Sequence, residues 1–332
     1  MHRRAILSAA AACSVLSASA QRVARAQSLP RFYEAARYAS DRGGAGLLIA
    51  RHGIVLAEDY PGGDPAQRWP LGAATRALAP VLAASLARDR LLSLDEPASA
   101  TLPEWALHPM KAAISLRTLL NGTSGLAFAP GQQQDLAAAL TLEPVDVMGQ
   151  HFADNAAIYV LFAEIARRKL LARGREPDPA RYLMDRTLAP VGCAPMGWTR
   201  WPDGAPRLDD GAIVSVRGLA GVGELIRREG VFRARQLADA DTLREALRGS
   251  FAEPRAGIGL WLSAPMLAPR RAPPIESDLW RATDREVAMA AGAGGQRLYV
   301  LPTEGVVIAR LARDGAPPWS DAQFLALVAA DL

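Results

Sequence analysis

The sequence predicts an α+β protein whose antiparallel sheet is built from both chain ends, with helices on its faces and a helical region inserted between. Near the start, Gly46–Asp59 contains two apolar runs on either side of Arg51-His52-Gly53, which is the pattern of a β-hairpin. Near the end, Arg297–Val300 and Val306–Leu311 form a second apolar pair. The chain between these pairs has mostly helical periodicity, so we expect the two pairs to share one sheet.

The helices are predicted from apolar spacing and from their capping residues. Leu29–Ser40 can form a short helix ahead of the hairpin. A last helix begins at Ser320, where the spacing to Gln323 is that of a capping box, and Phe324 and Leu325 begin its apolar face. The clearer helical segments between the strand pairs are Ala77–Leu91, Leu116–Leu120, Ala156–Ala172 and Leu219–Arg228.

Residues 1–26 are predicted to be an export signal. Arg3 and Arg4 precede an apolar run that is too short for a bilayer span, and Ala24-Arg25-Ala26 has the spacing of small residues that a signal peptidase reads. The arginine pair leaves both the general and the twin-arginine route open. Lipidation at Cys13 is the less favoured alternative, because the leucine typical of a lipoprotein box is missing. We therefore expect a periplasmic or secreted protein.

The mature chain, residues 27–332, is long enough for one large domain. We expect its α/β part at about residues 29–70 and 250–332, and its mostly helical part at about 71–249. The segment Pro265–Pro274 (PMLAPRRAPP) resembles a linker in composition, but its length fits a surface loop better than a domain boundary. No transmembrane segment is expected in the mature chain.

Charge and cysteine content exclude several classes of partner. Removing the four arginines of residues 1–26 from the 38 basic residues leaves 34, which equals the 34 acidic residues. The mature chain is therefore near neutral, and its charge does not predict a nucleic-acid-binding surface. One cysteine, Cys193, remains after cleavage and cannot form an internal disulfide. The histidines at 52, 108 and 151 lack ligand-like spacing, so neither a metal nor a cofactor is expected.

Several short motifs occur in a consistent order along residues 44–332. They are LSLDEP at Leu92–Pro97, LPE at Leu102–Glu104, TSGL at Thr123–Leu126, LAPVGC at Leu188–Cys193 and AAGAGGQRLYV at Ala290–Val300. Together they resemble the serine β-lactamase and penicillin-binding-protein superfamily, in the branch that contains 6-aminohexanoate-dimer hydrolases. The resemblance implies a β-lactamase/transpeptidase-like fold and acyl-transfer chemistry.

That chemistry, as the resemblance implies it, requires a serine and a lysine three residues later on one helix face. The serine attacks a carbonyl and the lysine accepts its proton. In this chain the matching tetrad is Ala73–Arg76 (AATR). Ala73 has no nucleophilic atom, and Arg76, whose pKa is above about 12, cannot act as a neutral base. Neither lysine of the mature chain, Lys111 or Lys169, follows a serine at that spacing.

The other two motifs are also degenerate. The family's Tyr-x-Asn motif aligns best with Ala153-Asp154-Asn155, which lacks the aromatic hydroxyl and retains Asn155; Phe152 and Tyr159 remain alternative occupants of that slot. Ala290-Ala291-Gly292 stands where a Lys/His-x-Gly is expected, so Gly292 is retained and the basic donor is lost. The backbone amide near Ala293 can still serve an oxyanion hole, but an amide creates no nucleophile.

Other polar residues receive ordinary structural interpretations. Thr75 is interpreted as a helix-start hydroxyl, Ser124 as a turn residue and His151 as structural or solvated. The adjacent carboxylates Asp209 and Asp210 are interpreted as solvated. Five tryptophans could line a cleft or fill the core, namely Trp69, Trp198, Trp201, Trp261 and Trp280.

Three functions remain open from the sequence. The first is a pseudoenzyme that keeps the fold and binds an unknown small molecule or an envelope protein. The second is an active hydrolase of esters, amides or peptides with a non-standard nucleophile or an activated water, which the paired carboxylates Asp209-Asp210 and the position of Asp154 keep open. The third is a structural module of an envelope assembly. The degenerate pocket positions are Ala73, Arg76, Ala153, Asn155, Gly292 and Ala293, and no catalytic residue is expected among them.

Overall fold

The structure, a computed structural model, describes residues 30–194, 196–263, 278–279 and 285–332. The predicted export signal, Cys13, the segment Pro265–Pro274 and Trp280 lie outside the described residues. Within them, no helix combines the length and the apolar composition needed to cross a bilayer.

Six strands form one antiparallel sheet from the two ends of the chain. The strands of the described chain are β1 (Gly44–Arg51), β2 (Ile54–Asp59), β3 (Trp69–Pro70), β4 (Gly197–Trp198), β5 (Ala212–Val214), β6 (Val231–Phe232), β7 (Arg235–Gln236), β8 (Trp261–Leu262), β9 (Ala288–Gly292), β10 (Gln296–Leu301) and β11 (Val306–Ala312). In the main sheet the six strands follow the spatial order β2-β1-β11-β10-β9-β8. Strand β1 pairs directly with β11, with Leu48 opposite Ala309. The predicted sheet from both chain ends is therefore confirmed.

Each predicted helical segment contains a helix, and three further helices of the described chain, at Leu136–Thr141, Pro179–Leu183 and Ala240–Ala246, were not predicted. The helices are α1 (Tyr33–Asp41), α2 (Leu78–Arg88), α3 (Leu116–Leu120), α4 (Leu136–Thr141), α5 (Ala157–Ala172), α6 (Pro179–Leu183), α7 (Val216–Arg227), α8 (Ala240–Ala246) and α9 (Asp321–Ala330). Helix α7 begins three residues earlier than predicted, because Ser215 caps it by accepting from the Gly218 amide at 3.1 Å. The Ser320 hydroxyl caps α9 in the same way, from the Gln323 amide.

The sheet separates two apolar cores because side chains alternate along each strand. On β10, Leu298 and Val300 face the core shared with α7 and the helical region. Tyr299 and Leu301 face the core shared with α1 and α9. A Cβ on Gly223 of α7 would lie only 2.6–2.7 Å from side-chain atoms of the sheet, so this glycine permits close packing of α7 on the sheet.

The helical region between the strand pairs lies beside the sheet. Its core includes Trp105 and the buried faces of α2, α3 and α5. Strands β3, β5 and β4 form a small second sheet there, and β6 pairs with β7. Because β3 leads into a 3₁₀ turn at Gly72–Ala77 and from there into α2, the second sheet fixes where α2 starts.

Candidate functional site

A cleft of about 550 Å³ lies where the end of the main sheet meets the helical region. Its walls come from the 3₁₀ turn before α2, from the start of α5, from the chain at 256–261 and from the turn Ala293–Gly295. Pro317, Pro318 and Trp319 complete it from the loop before α9. The volume is in the range that accepts a small organic ligand.

Four of the six sequence-predicted positions line this cleft together: Ala73, Arg76, Gly292 and Ala293. The third-motif strand approaches the turn before α2 so closely that a Cβ on Gly292 would lie 2.1 Å from the Leu71 carbonyl oxygen. Glycine is therefore required at 292 for the two segments to meet. The tertiary structure thus brings together positions more than 200 residues apart in the chain.

Arg76 forms an ion pair inside the cleft. Its Nη1 donates to Asp154 Oδ1 at 2.6 Å and to Oδ2 at 2.7 Å, and its Cζ lies 5.1 Å from the centre of the Tyr159 ring. Burial opposes the charged form, but Tyr159 and Asp154 more than offset that effect, and the pKa of Arg76 is raised. The guanidinium therefore remains protonated and cannot accept a proton from a neighbouring group.

The second-motif positions Ala153 and Asn155 do not line the cleft, whereas Asp154 between them does. The Asn155 side chain accepts from the Ala157 amide at 2.9 Å and donates to the carbonyls of Leu126 and Ala153, so it is engaged in a local turn just before α5. Motif alignment, which ranks Ala153 and Asn155 by residue type, did not select Asp154 as a site residue. The sequence signal that could have found Asp154 is a side-chain period of two before α5: Phe152 and Asp154 face the cleft, whereas Ala153 and Asn155 do not.

Phe152 and Tyr159, the two alternative occupants of the second-motif slot, both line the cleft. The Phe152 ring packs edge-on against Trp261, with ring centres 5.8 Å apart. Tyr159 is only 3% exposed, and its hydroxyl has no hydrogen-bond partner among the described residues. Burial raises the pKa of this hydroxyl, so it is present as a neutral donor.

Two further arginines lie behind the turn Ala293–Gly295. Arg297, 4% exposed, donates from Nε to Asp321 Oδ1 at 2.8 Å and from Nη1 to the Gly292 carbonyl at 3.0 Å. Arg310 is fully buried and donates to the carbonyls of Gly295 and Arg42, while its Cζ lies 3.9 Å from the centre of the Trp319 ring. Burial lowers the pKa of Arg310 to about 10, which still leaves it charged at neutral pH.

The other polar candidates lie away from the reacting position. Thr75 is buried and accepts from the Ala212 amide at 3.1 Å, and Ser124 accepts from the Leu126 amide in a turn. His151 lies 3.2 Å from Asp146, with 64% of its side chain exposed. Asp209 is buried rather than solvated, which corrects the sequence interpretation, and burial raises its pKa.

The chemistry available to the cleft follows from its lining. The described lining residues include no serine, threonine, cysteine, lysine or histidine. The described part of the chain also holds no group of three or more histidine, cysteine, aspartate or glutamate side chains placed to bind a metal ion. The arrangement provides hydrogen-bond donors and aromatic surface for binding, and it lacks the hydroxyl and amine pair that serine acyl transfer requires.

Comparisons with known proteins agree with this fold. A family profile described as Beta-lactamase matches residues 29–330. No curated protein matches the chain.

Solved structures with the same fold include both penicillin-binding-protein homologues and hydrolases. A penicillin-binding-protein homologue from Caulobacter crescentus is similar with a TM-score of 0.68 and 18% identity, over 91% of this chain and 98% of that one. A family VIII carboxylesterase is similar with a TM-score of 0.67 and 14% identity, over 90% of this chain and 96% of that one. A candidate 6-aminohexanoate-dimer hydrolase from Bacillus anthracis is similar with a TM-score of 0.65 and 14% identity. The match covers 88% of this chain and 78% of that one. At these identities the likeness concerns the fold alone.

Proposed function

The chain belongs to the Beta-lactamase family, and on that premise we propose that it is a non-catalytic member that binds a small molecule or an envelope protein through its cleft. The observation that carries the proposal is the composition of the cleft. Its described lining has no side chain able to act as the family's nucleophile or as its neutral amine base.

The geometry of Arg76 supports the loss of the base. A lysine at this position could lose its proton if burial lowered its pKa. An arginine held at 2.6 Å from a carboxylate cannot do so, because both its intrinsic pKa and the ion pair favour the charged form. Ala73 removes the nucleophile independently. The two replacements therefore abolish two separate steps of the reaction.

The proposal is tested by covalent labelling. The purified protein is incubated with a fluorophosphonate probe and with a fluorescent penicillin, and its intact mass is measured alongside that of a family member that has an intact Ser-x-x-Lys motif. We expect adducts only on the reference protein, and hydrolysis of p-nitrophenyl esters and β-lactams at the rate of buffer. An adduct on the unmodified chain, at any residue, contradicts the proposal.

A second candidate function is hydrolysis by a non-standard route. Asp154 and Tyr159 favour it, because a carboxylate and a hydroxyl line the same cleft. Against it, both Asp154 oxygens already accept hydrogen bonds from Arg76, so this carboxylate is held in an ion pair. If the ester panel shows turnover above buffer, and Asp154→Asn or Tyr159→Phe removes it, this function replaces the first.

We also propose that residues 1–26 direct export to the periplasm or the exterior. Fractionation of cells that produce the full chain tests this, together with the mass of the product, which is expected to begin at Gln27. A role as a structural module of an envelope assembly is a third possibility. Recovery of a stoichiometric partner from envelope extract, unaffected by substitutions in the cleft, would favour it over cleft-based binding.

A further inference from the structure

We propose that the cleft is a carboxylate-binding site, in which the guanidinium of Arg76 and the hydroxyl of Tyr159 hold the carboxylate of a small organic acid. The inference rests on the proposed non-catalytic function and names its ligand class. Three features of the cleft support it: an unused edge of Arg76, an unpartnered hydroxyl and an uncompensated positive charge.

The first feature is the free edge of the Arg76 guanidinium. Every hydrogen bond from this side chain to the described residues leaves from Nη1 and ends on Asp154. Nε is buried and has no hydrogen-bond partner among the residues that the structure describes. The N–H groups of Nε and Nη2 form the side of a guanidinium that matches the two oxygens of a carboxylate. A bound carboxylate would satisfy a donor that is otherwise buried and unpaired.

The second feature is the Tyr159 hydroxyl beside that edge. Tyr159 is 3% exposed, lines the cleft and has no hydrogen-bond partner among the described residues. Its ring centre lies 5.1 Å from the Arg76 Cζ. Both Asp154 oxygens accept from Arg76. Arg76 and Tyr159 therefore hold unpaired donors that suit a ligand group able to accept hydrogen bonds.

The third feature is the balance of charge around the cleft. Asp154 neutralises Arg76, and Asp321 neutralises Arg297. Arg310 bonds to backbone carbonyls and to no carboxylate among the described residues, and its contacts Gly295 and Trp319 both line the cleft. The charge of Arg310 is therefore buried behind the cleft wall without an ion-pair partner among the described residues. A ligand anion would compensate it, whereas a neutral amide would not.

A third carboxylate in this region is Asp209, which contributes to the electrostatics of Arg76. Arg207 lies 3.7 Å from Asp209 and 2.5 Å from Asp210, so these two carboxylates share one cation. The rest of the ligand is expected to be apolar, because Phe152 and Trp261 form an aromatic wall and Leu260 adjoins them. A cleft of about 550 Å³ accommodates an acid with an aromatic or alkyl body.

The test uses the series from benzoate to 4-phenylbutanoate together with the amide of each acid, titrated by calorimetry and by ligand-observed NMR. Each amide has the size of its acid and lacks the charge. Tyr159→Phe removes only the hydroxyl, and Tyr33→Phe, on a tyrosine that is 41% exposed, is the matched control. Arg76→Lys keeps the charge and can still pair with Asp154, but a lysine lacks the second pair of N–H donors, Nε and Nη2, that would bind the ligand carboxylate.

We expect at least one acid to bind about tenfold or more tightly than its amide. We expect Tyr159→Phe to weaken that acid about fivefold to tenfold, Arg76→Lys to weaken it at least tenfold, and Tyr33→Phe to leave it unchanged. The proposal is overturned if no acid binds at 10 mM, if the amides bind as well as the acids, or if neither cleft variant changes affinity. Covalent labelling remains a separate readout, so a failure here leaves the non-catalytic proposal standing.

Discussion

Nη1 of Arg76 lies 2.6 Å from Oδ1 of Asp154, and this ion pair joins the turn before α2 to the segment before α5. The two side chains are 21% and 22% exposed, so the pair is largely shielded from water. The position that the family resemblance assigns to a proton-accepting lysine is thus occupied by a permanent cation whose partner comes from the second motif. The ion pair is a structural link at the place where family members carry out chemistry.

Removal of Asp154 should destabilise the protein. Asp154→Asn leaves the Arg76 cation partly buried without a counter-charge, and we expect the free energy of unfolding to fall by about 1–3 kcal/mol. The control is Asp95→Asn, which breaks the pair with Arg117 at a carboxylate that is 74% exposed and should cost less than about 1 kcal/mol. Urea unfolding measures both values. If both variants lose the same free energy of unfolding, burial does not make the Arg76–Asp154 pair more stabilising than an exposed pair.

Restoring the family residues should restore little activity. Ala73→Ser alone is expected to remain unlabelled by penicillin, because its hydroxyl stays protonated beside Arg76. In the variant that combines Ala73→Ser with Arg76→Lys, the new lysine can pair with Asp154 and remain charged, so we expect slow, stoichiometric labelling at most. Adding Asp154→Asn removes that pairing and should increase the labelling rate. Intact-mass spectrometry follows all three variants, and an unlabelled triple variant would show that the cleft no longer admits the probe productively.

Asp89 should make stability depend on acid pH. Burial works against its charged form, but bonds from Arg186, Arg175 and Tyr182 outweigh it and lower the pKa of this carboxyl below its usual value. A lowered folded-state pKa gives stability that is present above the unfolded pKa of about 4 and is lost as the pH falls through the folded value.

Asp89→Asn should therefore cost about 1–3 kcal/mol at pH 7, and progressively less below pH 4. Urea unfolding of the wild type and the variant from pH 7 to pH 3 checks this expectation. Asp41→Asn, at the exposed end of α1, is the control and should cause no comparable loss at pH 7. A constant difference between wild type and Asp89→Asn across the whole range would rule out this linkage.

Gly292 should resist substitution. A Cβ at this position would lie 2.1 Å from the Leu71 carbonyl, so Gly292→Ala must separate β9 from the turn before α2, at a cost of about 2–4 kcal/mol. Gly63→Ala is the matched control, because the nearest atom to its added Cβ is 3.6 Å away. Thermal unfolding compares the two variants. A Gly292→Ala variant as stable as Gly63→Ala would show that these segments tolerate separation.

The sequence by itself predicts the sheet and the loss of the family's chemistry. Short apolar runs at Gly46–Asp59 and at Val306–Leu311 indicate strands at both ends, because paired apolar runs separated by a glycine-containing turn are typical of β-hairpins. The identities of Ala73 and Arg76 exclude a hydroxyl nucleophile and a neutral amine whatever the surrounding structure. These conclusions depend on local pattern and on intrinsic side-chain chemistry, both of which the sequence contains.

Only the tertiary structure decided which neighbouring side chains face the cleft. Residue type ranks Asn155 and Ala153 as the second-motif positions, yet Asn155 bonds the Ala157 amide in a turn before α5 and Asp154 pairs with Arg76. The unpartnered Tyr159 hydroxyl depends on what packs around it, and Arg310 lies behind the cleft because β11 pairs with β10. The direction of a side chain is set by the start of a helix and by contacts between segments far apart in the chain, and no local pattern contains those distances.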